Sequence, residues 1–430
     1  MDNITHSLIG MTMGEGIRCL PRFKDSSPKF RFAILWAAII GNNFPDGDFI
    51  INRYLNGGEL GYLLHHRGYT HTLIATPLEA VATMLIAAAF IGVRGFRGLT
   101  RSEWWTLFWV SLGSVCLHVA ADFMNDYGVH PFAPFWPRWL YGGFIYIVEP
   151  LILASLLPLL VFRFQSRIAR GLGVALTAVL VVLLWFTKIL TWPVALANTL
   201  FLALALWVQK RRPGVAQPIA FALSVLVIFG VMSRVTASKV REKISLEQPE
   251  EKITQLVTTP LPGNPFCWQV IPVSRLDMDE MAGQTSVKIS GQMVTPFFER
   301  LGVVSLWPSV FPPETCYFRA AVERTAPLMK SSLSADANTF WIGEFRGTVE
   351  SLSASATQYC RFEQFLRWAR VPFYFKMPGN VLLGGDLRYD REPELGFAEH
   401  EFQPGEPCLV HAPNWDSPSG LLQNGLQKKQ

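Results

Sequence analysis

Charged residues are scarce: Asp, Glu, Lys and Arg make up 17% of the 430 residues, where soluble domains carry about 25%. Cysteine is scarce too, at six residues, which excludes a small disulfide scaffold. No Gly-rich phosphate loop, paired-Cys zinc motif or Gly-x-Ser-x-Gly nucleophile elbow occurs, so the nucleotide, zinc-ribbon and serine-nucleophile readings lose their carriers. What is present is apolar surface. Half of the residues are hydrophobic and the mean hydropathy is +0.25, which excludes a disordered chain. The length allows two or three domains.

The scarcity of charge is uneven. Residues 1–238 hold 19 Lys+Arg and 11 Asp+Glu, about 13% charged with net +8. Residues 239–430 hold 19 and 22, about 21% charged with net −3. The first part reads as membrane-embedded and the second as an ordinary water-soluble domain. Basic residues do not cluster on that domain, so nucleic acid is not an expected partner.

A spanning helix needs about 20 mostly apolar residues. Six stretches come close: 72–93, 104–124, 144–162, 171–190, 192–208 and 218–235. Two weaker ones precede them, 4–20 with Glu15 inside it and 31–44; they read as short, tilted or half-inserted helices. The N-terminal stretch is not a signal peptide, since it has no basic n-region and is interrupted by Asp2 and His6. The fold class expected is a polytopic α-helical bundle of about six to eight transmembrane helices, followed by a β-rich soluble domain. The expected divisions are a metal-site core over 1–150, additional membrane helices over 151–238, and the soluble domain over 239–430.

Lys and Arg in short loops set orientation. Fourteen lie in four alternate loops, around 18–31, 94–101, 163–170 and 210–212; the other loops hold only Arg53, Arg67 and Arg138. The richer side is expected to be cytoplasmic, with the N-terminus and the soluble domain outside, in a bacterial inner membrane. Cys267, Cys316, Cys360 and Cys408 all fall in the soluble domain. In an oxidising compartment they can form two disulfides with three possible connectivities, or remain buried thiols.

Histidine is clustered: six of eight fall in the first 130 residues. The topology brings the polar residues to one level. His6 opens the first helix, Asp46 and Asp48 follow the second, and His65, His66 and His71 precede the third. His118 and Asp122 sit near the outer end of the fourth, and Glu149 near that of the fifth. His118 and Asp122, at i and i+4, share a helix face. An Asp inside a membrane helix is costly unless paired, and a metal would remove that cost. His66 and His71 converge only if the backbone turns. Gly68 permits a turn, and Thr70 can N-cap a helix beginning at His71. Nitrogen and carboxylate ligands without thiolate suit Zn, Mn, Fe or Mg, with zinc or manganese first. The expected ligands are His6, Asp46, Asp48, His66, His71, His118 and Asp122. Seven exceed one tetrahedral shell, so one or two ions are expected. Arg67 is placed to hold an anionic substrate group, and Glu149 is the second residue assigned to catalysis.

Plainer readings stand beside these. Asp46 and Asp48 could simply end a helix, and His118 with Asp122 could be a structural pair or a proton relay. Glu79 reads as a structural partner of another helix, Lys188 as a snorkelling side chain, and His65 and His130 as interfacial residues.

The sequence resembles the membrane-bound metal-dependent hydrolase family, the YdjM/YbcI-like proteins. The matching pieces are Asp2-Asn3-Ile4-Thr5-His6-Ser7-Leu8, Pro45-Asp46-Gly47-Asp48, His66-Arg67-Gly68-Tyr69-Thr70-His71 and His118-Val119-Ala120-Ala121-Asp122. The match continues through Tyr127-Gly128, Pro131-Phe132, Pro137-Arg138-Trp139 and Phe144-Ile145-Tyr146-Ile147-Val148-Glu149-Pro150, and covers 1–150 well. Two positions depart: the family often has Asp where Glu149 stands, and Thr where Asn125 stands. The resemblance implies hydrolase activity without naming a substrate.

In the soluble part, 239–252 reads as a helix leaving the membrane. The aromatic and β-branched runs 266–273, 285–289, 316–322, 339–345 and 381–389 read as strands, and 363–370 as one helix. His400 and His411 read as surface residues, and 423–430 as a frayed tail. The function expected is metal-dependent hydrolysis, a metal-activated water attacking an ester or phosphoester, lipidic or small, at the outer membrane face. The alternatives are an ion- or proton-coupled transporter using Glu79, His118, Asp122 and Glu149, and a non-catalytic scaffold tied by its metal.

Overall fold

A computed structural model describes residues 1–49, 58–187, 190–276, 287–289, 292–316, 324–391 and 395–422. Lys188, Arg53, most of 316–322, residues 285–286 and the tail 423–430 lie outside the described residues.

The membrane part begins with α1 (Asn3–Arg18) and α2 (Pro28–Gly41), which pack on each other. Asp2 caps α1 through its carboxylate, and Ser27 caps α2. Gly10 and Gly14 make this packing possible: a Cβ on Gly10 would lie 2.4 Å from the Ala38 carbonyl oxygen. The helices α3 (Gly58–His65), α4 (Thr76–Ala89), α5 (Gly92–Arg97) and α6 (Arg101–Phe123) follow. A full capping box of Thr100 and Glu103 starts α6. Helices α1, α2, α4 and α6 form one bundle. A second comprises α7 (Pro150–Arg163), α8 (Arg167–Phe186), α9 (Trp192–Arg211) and α10 (Ala216–Glu247), joined to the first where α1 packs on α7.

Four of these helices, α6, α8, α9 and α10, are long and apolar enough to cross a membrane. A fifth span arises if Gly58–His71 and Thr76–Ala89, which meet at 82°, count as one broken crossing. The stretch expected over 72–93 is thus a shorter helix, held back by Pro77 at its start and ended before Gly92. The stretch expected over 144–162 is helical only from Pro150.

Helix α10 runs on past the apolar segment as one 32-residue helix, and its Thr236, Val240 and Ile244 are buried. The soluble domain is built on this stem. An antiparallel sheet in the order β1-β2-β5-β6 (Glu251–Leu261, Asn264–Leu276, Pro296–Ser305, Thr339–Thr348) packs on α10 through β1 and β2. A short hairpin, β3 (Val287–Ile289) with β4 (Gln292–Val294), lies between β2 and β5 in the chain. Then come α11 (Val349–Gln358), α12 (Cys360–Phe365) and a three-stranded sheet of β7 (Pro372–Lys376), β8 (Leu382–Asp386) and β9 (Glu399–Phe402). The strands expected over 266–273, 339–345 and 381–389 fall within or across β2, β6 and β8. The helix expected over 363–370 ends at Phe365. Disulfides Cys267–Cys316 and Cys360–Cys408 select one connectivity of the three.

One apolar core crosses from the membrane part into the soluble domain. Leu60, Leu63 and Leu64 of α3, with Tyr127 and Trp139 after α6, pack with Phe297, Trp368 and Phe373. The soluble domain therefore sits directly on the end of the bundle that carries the clustered histidines.

Candidate metal centre

Three helix ends and one turn build the site. His6 lies one turn into α1, and Asn42 closes α2. Asp46 follows in the single turn Pro45–Gly47, and His118 and Asp122 occupy the last turns of α6. His6, Asp46, His118 and Asp122 are all buried, and their ligand atoms lie within 4.8 Å of one another. His71 joins them from the short turn Tyr69–His71. Its Nε2 is 3.1 Å from Asp122 Oδ2, 3.5 Å from Asp46 Oδ1 and 3.0 Å from His118 Nε2.

The backs of the three imidazoles are all fastened. His118 Nδ1 lies 2.9 Å from the Asn42 carbonyl oxygen, His6 Nδ1 3.2 Å from Asn42 Oδ1, and His71 Nδ1 3.0 Å from Thr70 Oγ1. A carbonyl can only accept, so His118 Nδ1 carries the proton, and the Asn42 side chain, whose amide donates to the Ser114 carbonyl at 3.0 Å, accepts from His6 in the same way. Thr70 Oγ1 donates to Asp48 Oδ2 at 3.0 Å, leaving its lone pair for His71. All three Nε2 atoms then turn lone pairs inward, which is how a second layer prepares histidines for a metal. Asp46 Oδ1 is buried with no hydrogen-bond partner among the described residues, and a buried carboxylate oxygen in that state calls for a cation. The residues present fit a divalent ion with nitrogen and oxygen ligands. The Met1 ammonium pairs with Asp122 Oδ1.

Asp48 and His66 form a neighbouring pair rather than part of that group. Asp48 Oδ1 lies 3.1 Å from His66 Nδ1, and its Oδ2 accepts from Thr70 and, at 3.2 Å, from the Arg67 amide. The same His66 bond keeps the Asp48 carboxyl low against its burial. Arg67 carries the sharp turn itself, at φ +59°. Gly68 is needed for a different reason: a Cβ there would meet the His65 carbonyl oxygen at 2.7 Å. Thr70 does not cap a helix at His71; the helix starts at Thr76, and Thr70 serves Asp48 and His71 instead.

Arg67 is buried, with Nη1 2.9 Å from Asn125 Oδ1 and Nε 3.0 Å from Asp122 Oδ2. Its guanidinium thus faces a protein carboxylate. Asn125 is the polar neighbour that completes this link. Glu149 is not brought into the cluster. Its carboxylate accepts from the Leu151 amide at 3.1 Å and from the Gly263 amide at 3.0 Å, capping α7 and fastening the β1–β2 turn. Glu79 is buried in α4, and its Oε2 has no partner among the described residues.

His130 is not an interfacial residue. It is fully buried, stacked at 4.0 Å on Trp415 and lying 3.7 Å from the Trp139 ring. His65 is buried as well, His400 is half-buried against Phe365 and Phe402, and His411 is exposed. The functional residue that pattern reading missed is Asn42, which supports two histidines. Its signal was faint: two polar residues, Asn42 and Asn43, directly after an apolar helix.

Residues 1–195 match the model of the YdjM inner membrane protein family. The matched stretch contains every residue of the cluster and ends inside α9, so α10 and the soluble domain lie beyond it. The family description as an inner membrane protein agrees with the apolar helices. A similar curated protein is the uncharacterized protein YfhP of Bacillus subtilis (strain 168), 32% identical over 155 residues. The alignment takes in 36% of this chain and 44% of that protein, so the chain covers less than half of the relative's length. No solved structure matches.

Proposed function

We propose that this chain is a membrane-embedded, metal-dependent hydrolase that cleaves an ester or phosphoester at the extracytoplasmic face. The observation that carries the reading is the set of three back-fastened imidazoles turned toward Asp46 and Asp122. His6, Asp46, His118 and Asp122 hold the ion, with His71 beside them, and zinc or manganese suits the donors. A divalent ion bound there supplies Lewis acidity toward water and toward the scissile group. Arg67 orients Asp122 and places positive charge beside the reacting centre. The Asp48–His66 pair stands next to it, with His66 half-buried.

A lipidic substrate is supported by a mostly apolar groove of about 550 Å³ whose lining includes Ile39, Ile40 and Phe44 together with Asp48 and Thr70. An acyl chain would lie along the apolar residues with its ester end beside Asp48 and Thr70. The positive-inside rule supports the sidedness, because the Arg-rich turns lie at the opposite end of the helices from the cluster. The two disulfides of the domain above the cluster agree with an oxidising compartment.

The test is metal content and turnover of the detergent-purified protein, with p-nitrophenyl phosphate and a fluorogenic phospholipid as probes. About one or more equivalents of metal and hydrolysis are expected, both lost in His118→Ala and Asp122→Asn. A protein with less than one equivalent, or variants that turn over like wild type, would sink the reading. Metal whose removal unfolds the chain, with no turnover of any ester, would leave the scaffold. An alkaline phosphatase fusion at Gln430 should be active; an inactive one places the cluster on the cytoplasmic side.

A further inference from the structure

A second cavity, of about 510 Å³, lies where the segment after α6 meets the soluble domain. Trp139 and Tyr141 form its membrane-side wall, and Gln255, Arg367, Arg370 and Trp415 belong to the domain side. Three arginines and two carboxylates line it. Two of the arginines are spoken for: Arg138 Nε is 3.5 Å from Asp416, and Arg367 Nη2 is 3.0 Å from Glu363.

The third is not. Arg370 has no carboxylate within ion-pair distance among the described residues, and its Nε is buried without a hydrogen-bond partner. Its guanidinium instead lies 4.0 Å from the centre of the Tyr141 ring. The Tyr141 hydroxyl, on the same cavity, is also buried and unpartnered among the described residues. Burial pushes the Arg370 guanidinium down to about 10, so it is still a cation at neutral pH. Buried polar groups in folded proteins are nearly always satisfied, and a buried lone charge is destabilising. Two unpartnered buried polar atoms, Arg370 Nε and the Tyr141 hydroxyl, on one cavity wall with one net positive charge in the lining suit an anion.

We propose that this cavity binds a small oxyanion, a phosphate or carboxylate group, with the Arg370 guanidinium as its fork and the Tyr141 hydroxyl as a second donor. A planar guanidinium matches either oxyanion with two parallel hydrogen bonds. The volume leaves room for a small organic body behind the anion, against Trp139 and Trp415, within the usual range of ligand pockets. The site is distinct from the metal cluster but adjoins it. Trp139 and Trp415 enclose His130, whose Nδ1 lies 3.4 Å from the Arg67 carbonyl oxygen, and Trp415 Nε1 donates to the Leu64 carbonyl at 2.8 Å.

The experiment uses the full chain in detergent, titrated with inorganic phosphate and with acetate, read by tryptophan fluorescence and calorimetry. A parallel arm uses nanodiscs with and without phosphatidylglycerol, which separates a lipid headgroup from a free anion. Saturable binding of one equivalent is expected, weakened at least tenfold in Arg370→Met and severalfold in Tyr141→Phe, and retained in Asp122→Asn. Retention in Asp122→Asn makes failure here distinguishable from failure of the hydrolase reading. Arg370→Met removes a half-buried charge that has no carboxylate partner among the described residues, so the ligand-free variant should unfold at or above the wild-type temperature. Wild type that binds neither phosphate, acetate nor the anionic lipid, or Arg370→Met that binds like wild type, overturns the proposal.

Discussion

Glu149 offers the sharpest test of what its carboxylate does. It is fully buried, and Oε1 accepts from both the Leu151 amide and the Gly263 amide, with Oε2 also 3.2 Å from the latter. Gly263 sits at φ +66°, and its carbonyl accepts from Asn198 Nδ2 at 2.9 Å, so the β1–β2 turn is pinned between α7 and α9. In Glu149→Ala the cap of α7 is lost, which costs roughly 0.5–2 kcal/mol. The Gly263 amide is left buried and unpaired, which costs roughly 1–3 kcal/mol. Removing the carboxylate also removes its own burial penalty, so the net expected loss is about 1–4 kcal/mol. Glu149→Gln keeps an acceptor oxygen at the same place and should lose about 1 kcal/mol or less. The assay is denaturant unfolding in detergent followed by tryptophan fluorescence, with metal content measured on the same samples. If Glu149→Ala unfolds like wild type, or if both variants lose metal while keeping stability, the carboxylate serves the ion and the capping argument is wrong.

Three further outcomes are expected. Asn42→Ala removes the support of His6 Nδ1 but leaves the backbone carbonyl that holds His118, so metal affinity should fall 10- to 100-fold without unfolding; unchanged affinity by competition with a chelator would contradict it. Replacing Cys360 and Cys408 by Ser opens a bridge between residues 48 apart, and the chain-entropy relation gives a loss of about 4 kcal/mol, readable as a lower unfolding midpoint that reducing agent no longer moves as far. Glu299 is fully buried with no hydrogen-bond partner for its carboxyl among the described residues, and burial, reinforced by Asp386, raises it well above the usual range. A raised carboxyl binds its proton more tightly in the folded state. Its contribution is therefore present below the unfolded value, near 4.5, and is lost as pH climbs toward the folded value. Wild-type stability should decline on that alkaline side, and Glu299→Gln should flatten the decline; equal slopes would refute it.

The cluster was legible because its residues break strong local rules. His and Asp at the ends of apolar helices stand out against their neighbours, and strict alternation of basic loops places those ends at one level. The pairing inside the cluster was not legible. Seven residues were available, and nothing in their spacing separates Asp46, which keeps a bare oxygen, from Asp48, which is saturated by His66, Arg67 and Thr70. That distinction depends on the turn at Arg67, a non-glycine residue at positive φ next to the glycine that pattern reading chose. In the soluble domain, the runs over 266–273, 339–345 and 381–389 were readable, whereas the aromatic-rich strands β5 and β7, each opened by a proline, went unread. Strand β1 was not readable either: Glu251-Lys252-Ile253-Thr254-Gln255 looks polar because it lies at one edge of the four-stranded sheet. Helix α11 was missed because Ser and Ala dominate it, with few apolar residues to show a period.

The two parts of the chain are coupled through the few residues after α6. Asp122 belongs to the cluster, Asn125 binds Arg67, and Asp126 turns the other way into the soluble domain. The Asp126 carboxylate accepts from Thr259 Oγ1 at 2.9 Å, and its carbonyl accepts from Arg388, which Asp386 grips through Oδ1 and Oδ2. Asp126, four positions after the cluster carboxylate Asp122, thus contacts the fully buried Asp386–Arg388 ion pair of the soluble domain. A helix terminus alone frays, because its last carbonyls lack partners. Here the terminus of α6 is clamped from beyond, which holds His118 and Asp122 in register with His6 on α1 and Asp46 after α2. The soluble domain need not touch a substrate to matter for the cluster: by fixing Asp126, Glu149 and Leu64 it fixes the ends of the segments that carry or flank the site.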